Sequence, residues 1–211
     1  LTPDITRLRV QLDEALAWRG GQYAQLGLAG LPGVRRCYSF ANAAQPDGQV
    51  SLFVRKVSGG ALSTWVNDQD LLGTSVTVEG PQGDFWLREG SAPLLLVAGG
   101  SGLAPLLALL QEAAAAGVRR PVTLLFGARA PQDLYALDEI ATIARQWPDR
   151  FRVVPVLSAV PSGAEWTGER GLVTDRIPAL LEDGAHAYLC GPPAMVDAAV
   201  VMIENAHKKL E

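Results

Sequence analysis

The sequence predicts two domains in tandem: an antiparallel β-barrel over residues 1–90, then an α/β domain on a parallel sheet over residues 91–211. Three observations carry this. Before residue 90, short runs alternate apolar with polar residues, and turn signals recur about every 8 to 12 residues. From Leu94 onward the runs are continuously apolar and separated by segments of helical spacing, the pattern of βαβ units. Between the two regimes, Gly90, Ser91 and Pro93 break both periodicities.

Composition narrows the function. The 211 residues are 48% hydrophobic and 19% charged, an ordinary globular balance. Net charge is −4, and the basic pairs Arg35–Arg36, Arg119–Arg120 and Lys208–Lys209 stand apart, so nucleic acid is not the expected partner. An uncharged apolar run of about 18 residues is absent from the sequence, as is a charged-then-apolar leader pattern, which predicts no membrane partner and a cytoplasmic chain. Cys37 and Cys190 are too few for an iron–sulfur centre, which takes about four thiolates, or for a paired zinc motif. A reducing compartment argues against joining them as a disulfide. His186 and His207 form no metal-ligand pattern, so no metal site is expected.

In the first half, Ile5–Leu12 alternates as a half-buried strand. Gly20–Gly21 turns the chain into a second strand at Gln22–Leu26, and Gly30–Gly33 turns it again. Arg36–Phe40 reads as a third strand, and Pro46–Asp47–Gly48 is a strong turn signal. Val50–Val57 follows as a strand, then Gly59–Gly60, a helical piece at Leu62–Asn67 and a strand at Ser75–Glu79.

The second half opens with Leu94–Leu110, a buried strand, then Gly99, Gly100 and Gly102, then an Ala/Leu-rich helix running to Gly117. Strand, glycine turn and helix aim backbone N–H groups and a helix start at a bound phosphate. Counted from Gly100, the G-x-G-x-x-G spacing meets Pro105 where the third glycine falls, and arginines 119 and 120 stand where a ribose-binding acid is expected. By its residues alone the stretch is either a variant dinucleotide site or an ordinary βα turn. A serine-hydrolase reading fails because Ser101 lies in G-S-G-L rather than G-x-S-x-G. Strands follow at Pro121–Gly127, Phe151–Ser158 and Ala187–Cys190. Helices are expected at Leu137–Gln146, Leu172–Leu181 (despite Pro178) and Ala194–Asn205, which makes this half Rossmann-like.

Several motifs carry a resemblance. Arg36-x-Tyr38–Ser39, Gly59–Gly60–Ala61–Leu62–Ser63 and Gly80–Pro81–Gln82–Gly83–Asp84–Phe85 resemble the flavin domain of the ferredoxin–NADP reductase family. Gly99–Gly100–Ser101–Gly102–Leu103–Ala104–Pro105, Trp166-x-Gly168-x-x-Gly171-x-Val173 and Cys190–Gly191–Pro192–Pro193 resemble its pyridine-nucleotide domain. Each is unspecific alone; their order and spacing across nearly the whole chain are specific. The chain is most similar to the reductase components of bacterial aromatic-ring dioxygenases, of the benzoate dioxygenase reductase type, and related monooxygenases.

The resemblance implies FAD and NADH as cofactors and a role for each motif. Arg36 would pair with the flavin pyrophosphate, where a planar fork suits two phosphate oxygens; otherwise it is a solvated strand charge. Tyr38 would pack on the flavin or act as a cross-strand aromatic. Ser39 would hydrogen-bond near flavin N5 as a catalytic residue, and Phe40, Val54 and Ala61 count among the flavin contacts. Arg55, Lys56 and Val57 would run along the flavin edge. Gly59, Gly60, Leu62 and Ser63 would present N–H groups and a hydroxyl to the pyrophosphate, with Ser63 compatible with a plain N-cap.

In the second domain, Gly99 to Pro105 would cradle the nucleotide. Gly191, Pro192 and Pro193 would wall the nicotinamide, and Cys190, the second catalytic residue, would tune geometry there rather than act as nucleophile. Met195 lines this pocket or packs in the core. Trp166, Gly168 and Gly171 shape a loop. Arg129 could meet a 2′-phosphate, whereas Asp133 would repel one, and the segment as a whole resembles NADH users.

The implied reaction moves hydride from NADH to FAD and then single electrons to a [2Fe–2S] ferredoxin domain or protein that feeds a terminal oxygenase. With two cysteines the chain cannot hold that centre itself, so a separate protein or a domain preceding Leu1 is expected. A C-terminal strand beyond His207–Lys208–Lys209–Leu210–Glu211 is expected as well. The alternatives are a free-standing NAD(P)H:flavin reductase and a non-catalytic nucleotide-binding subunit.

Overall fold

The computed structural model describes residues 1–160, 163 and 165–207; the tail at Lys208–Glu211 lies outside the described residues. The chain divides into two compact units, Leu1–Arg88 with Ala104–Ala115, and Glu89–Leu103 with Ala116–Glu211.

The first unit contains β1 (Ile5–Gln11), β2 (Tyr23–Leu28), β3 (Arg35–Ser39), β4 (Gln49–Arg55), α1 (Ala61–Asp68) and β5 (Val76–Gln82). All its pairings are antiparallel: β1 with β4, and β2 between β3 and β5. A bridge between Phe40 and Leu52, with the Ala41 N–H donating to the Ser51 carbonyl at 2.8 Å, joins the two sheets. Alternation decides the facing. In β4, Val50, Leu52 and Val54 point inward to a core that also holds Leu26, Leu62 and Val66. Phe40 leaves the β3 ladder to stack on Trp18, centroids 4.5 Å apart, and the Trp18 indole N–H donates to the Asn42 carbonyl at 2.8 Å.

This unit includes most of α2 (Leu103–Ala115). The helix passes Gly20 so closely that a Cβ there would enter the backbone of Ala108 and Leu109. Its polar face is tied down as well. Gln111 Oε1 accepts the Ala43 N–H at 2.9 Å, and Glu112 accepts the Gly20 N–H.

The second unit is a five-stranded parallel sheet in the order β10–β6–β7–β8–β9. Its strands are β6 (Leu94–Gly99), β7 (Val122–Ala128), β8 (Phe151–Leu157), β9 (Glu169–Arg170) and β10 (His186–Cys190), with α3 at Leu137–Gln146, α4 at Ile177–Leu180 and α5 at Pro193–His207. Every residue of β6 is buried, which is why its sequence shows no alternation. α3 buries Ile140 and Ile143, with Asp138 and Glu139 in its first turn and Arg145 in its last, the distribution that suits the helix dipole. Arg120 is buried, its Nε donating to the Ala92 carbonyl at 2.5 Å while its own carbonyl accepts the Trp147 indole N–H at 2.9 Å. Burial lowers the pKa of that guanidinium, partly offset by Tyr188.

Several expectations are corrected at their edges. The strand expected to reach Val57 ends at Arg55: the Lys56 N–H still bonds the Asp4 carbonyl in register, but the Asp4 N–H goes to Thr2 Oγ1 at 3.4 Å instead of returning to the strand. The helix expected over Leu172–Leu181 is a 3₁₀ turn at Val173–Arg176 followed by the four-residue α4. Pro178 sits in its first turn, where a missing N–H costs no helical bond. The two-residue β9 has no sequence signal of its own and forms by pairing with Val156 and Leu157.

Replacing Phe40 by Ala removes the fully buried ring stacked on Trp18. The expected loss is about 3–5 kcal/mol of stability, read as a lower urea midpoint at unchanged slope.

Candidate cofactor sites

In the first unit the candidate site is built around the start of α1. After β4 the chain turns at Gly59, whose φ of +73° lies in the left-handed region, and the Gly60 N–H returns to the Val57 carbonyl at 2.9 Å. Gly60, not Ser63, is the N-cap. The Ser63 side chain is buried, its Oγ accepting the Val57 N–H at 3.1 Å and donating to the Gly60 carbonyl at 3.2 Å. The hydroxyl expected to face a phosphate instead holds the turn that precedes the helix.

Asn67 fixes the other end, donating to the carbonyls of Val54 and Ser63 and accepting from Thr6 Oγ1 at 2.9 Å. The N–H groups of the first turn are those a helix leaves without internal acceptors. Beside them lies a cavity of about 590 Å³ lined by Gly59, Gly60, Ala61, Thr64, Trp65 and Asp68 among others. Thr64 and Trp65 were not among the sequence-selected residues; no motif marks them, and only the helix geometry brings them to the cavity.

The β3 residues sort by face. Arg36 and Tyr38 share one side of the strand, two residues apart. The Arg36 guanidinium is exposed and donates to the Arg35 carbonyl at 2.7 Å. Its charge pulls the Tyr38 phenol down, but burial outweighs it and the net pKa is raised. Ser39 is half-buried at the strand end. Phe40, Val54 and Leu62 have side chains turned wholly into the core, so any cofactor contact they make is through backbone atoms. Arg55 and Lys56 are ion-paired, with Asp4 at 3.1 Å and Asp68 at 2.6 Å, and Val57 is exposed.

In the second unit the candidate site lies at the C-terminal ends of β6 and β10, where parallel α/β sheets hold ligands. The glycines there are required first by the protein itself. A Cβ on Gly102 would enter the Cys190 carbonyl group, and one on Gly99 would meet Met195 Sδ and, at 3.1 Å, Pro192 Cδ. A Cβ on Gly191 would lie 3.1 Å from the Gly99 amide nitrogen. Met195 fills the gap between two glycines and packs against the sheet core. The result is a turn of nearly bare backbone, Gly99–Gly102, leading into Leu103, which is fully buried, and on to Ala104 and Pro105. A second helix, α5, starts at Pro193 just after the neighbouring strand.

Cys190 is half-buried, and burial pushes its thiol pKa up, which suits a packing group rather than a nucleophile. Cys37 is exposed and both cysteines are free. Arg129 is exposed at the end of β7 and its carbonyl accepts the Ala159 N–H at 2.8 Å. Asp133 Oδ2 accepts the Ala130 N–H at 3.0 Å, closing its own turn. Trp166 lies against Gly168 and donates to the Glu169 carbonyl at 3.0 Å, a loop-shaping contact. Among the described residues there is no cluster of potential metal ligands and no helix long and apolar enough to cross a membrane.

These two glycine-lined sites coincide with two family matches. Residues 1–86 match the oxidoreductase FAD-binding domain and residues 96–200 the oxidoreductase NAD-binding domain. The chain belongs to the oxidoreductases that join these two domains. It is 44% identical over 200 residues to the xylene/toluene monooxygenase electron transfer component XylA of Pseudomonas putida, covering 94% of this chain and 57% of that protein. It is 38% identical to the ferredoxin–NAD(P)(+) reductase component of the naphthalene 1,2-dioxygenase/salicylate 5-hydroxylase systems of Ralstonia, covering 96% of this chain and 61% of that one. The crystal structure of the Amycolatopsis cytochrome P450 reductase GcoB superposes with a TM-score of 0.87 at 39% identity, covering 97% of this chain and 62% of that one. The chain thus spans about three-fifths of each of these relatives.

The two thiols should separate cleanly by reactivity. At neutral pH iodoacetamide is expected to label exposed Cys37 well before Cys190. Labelling of Cys190 should accelerate only above the usual thiol range near about pH 8.5, because its raised pKa keeps the unreactive S–H form to higher pH. Peptide mass mapping across pH reads this directly.

Proposed function

We propose that this chain oxidises NADH on behalf of an oxygenase, as the flavin- and nucleotide-binding part of a reductase component. The domains divide as 1–90 for FAD and 91–211 for NAD(P)H. The observation that supports this best is the pairing, in one chain, of two bare-backbone turns that each feed a helix start, one in each matched domain. When bound, FAD supplies the conversion of a two-electron hydride into single electrons.

The chain's residues bind and orient. Arg36 engages pyrophosphate oxygens, Tyr38 packs beside the flavin, and Ser39 hydrogen-bonds at its reactive edge. The α1 turn, Gly59 to Ser63, offers backbone N–H groups, and Ser63 holds them in place. Both the open backbone of α1 and the adjoining cavity fit a dinucleotide's phosphates and one flanking group. Gly99 to Pro105 take the coenzyme diphosphate, Cys190 to Pro193 with Met195 wall its reacting ring, and Arg129 and Asp133 flank its far ribose. Electrons then leave to a [2Fe–2S] ferredoxin domain or protein and a terminal oxygenase, in the cytoplasm. The relatives' names, an electron transfer component and a ferredoxin reductase component of oxygenase systems, favour this over a free-standing flavin reductase.

The purified protein should retain or take up FAD, with absorption near about 380 and 450 nm, and anaerobic mixing with NADH should bleach the longer band. A colourless protein that cannot be reconstituted would sink the reading. A coloured one that NADH fails to bleach would leave a nucleotide-binding subunit instead. A tenfold preference for NADPH, about 1.4 kcal/mol, would overturn the choice of coenzyme. Arg36→Ala is expected to weaken FAD binding about ten- to a hundredfold, the range for a hydrogen bond to a charged group, as measured by fluorescence titration.

A further inference from the structure

We infer that Tyr135 is a positioning residue for the pyridine nucleotide, acting through the Gly100–Ser101 peptide; this rests on the reading of Gly99–Gly102 as the coenzyme-diphosphate turn. The Tyr135 hydroxyl donates to the Gly100 carbonyl at 2.8 Å, and the Leu103 N–H approaches the same oxygen. In a trans peptide the C=O and the following N–H point to opposite sides. Holding the Gly100 oxygen inward therefore turns the Ser101 N–H away from Tyr135, on the side open to a ligand.

The choice needs holding because Gly100 has φ of +54°. A glycine there can reach the flipped peptide at little steric cost. After that flip a carbonyl oxygen, not an N–H, would face the phosphates, and an attractive contact would become a repulsive one.

The arm that carries Tyr135 is built for fixed reach. Asp133 and the Leu134 N–H, which bonds to the Pro131 carbonyl at 3.1 Å, close the turn before it. The Tyr135 ring is buried edge-on against Phe126, centroids 5.5 Å apart at 87°. Phe126 lies in β7 opposite Ala98 of β6, one position before the glycine turn begins. Ala136 then takes a left-handed φ of 55° and α3 starts. Ring, strand and turn thus deliver one hydroxyl to one carbonyl. No ligand contact by Tyr135 itself is needed.

Tyr135→Phe removes the hydroxyl and keeps the ring against Phe126. The variant is expected to bind ADP-ribose about three- to tenfold more weakly by calorimetry, the worth of one hydrogen bond. The KM for NADH should rise by the same factor, while kcat at saturating NADH, FAD retention and melting temperature stay as in the parent. An unchanged ADP-ribose affinity, or a loss confined to kcat or to melting temperature, would overturn the inference. A parent protein that binds ADP-ribose but does not pass electrons from NADH would sink the proposed function alone. A parent that binds no ADP-ribose would sink both.

Discussion

The close approach of two backbone segments, Gly102 against the Cys190 carbonyl group, is the constraint from which the second unit's site follows. Two neighbouring parallel strands end side by side, and each must leave the sheet through a turn. With a Cβ at Gly99, Gly102 or Gly191 the turns would collide with each other or with Met195. Glycine satisfies that packing demand, and a turn of backbone with few side chains is what a diphosphate can approach. The bareness of the turn is therefore a consequence of how the strands end, before any ligand is considered.

The first unit reaches a comparable result with different parts. In each unit a hydroxyl inside the protein donates to the carbonyl of a glycine at the start of a helical turn: Ser63 to Gly60, Tyr135 to Gly100. Neither hydroxyl has to touch a cofactor. Each adds a second donor to a carbonyl already met by a helical N–H, that of Thr64 on Gly60 and of Leu103 on Gly100, so the neighbouring N–H groups are presented in one orientation. Such preorganisation reduces the cost of ordering the turn when an anion arrives.

Much of the fold was legible because its signals are local. The periodicity change near residue 90, the alternating strands and the α3 boundaries all come from patterns a few residues long. The sequence motifs also led to the two turns at Gly59–Gly60 and Gly99–Gly102. What escaped was relational. The Ser63 hydroxyl reads as a cap or a phosphate ligand until the Val57 N–H is seen on it. Nothing in Asp133–Leu134–Tyr135 shows that the tyrosine reaches a carbonyl 35 residues earlier. β9 exists only as a partner of β8, and Phe40, flagged for its neighbours in a motif, is core.

The adjacent arginines at the start of β3 show how register settles what composition leaves open. Arg35 and Arg36 are chemically identical, and a motif is the sole sequence argument for preferring the second. In the sheet, Arg35 lies opposite Gly27, and a Cβ at Gly27 would come within 3.4 Å of Arg35 Nη1. The glycine's bare face lets that side chain lie across β2 and meet Glu79 of β5 at 3.1 Å. Arg36 projects from the opposite face, beside Tyr38, with its guanidinium exposed. One arginine is neutralised by a carboxylate on its own sheet, and the other keeps its charge on the face it shares with Tyr38. Strand alternation and one missing Cβ make that difference, and the paired charge could not take the other's place without reversing the face of the strand.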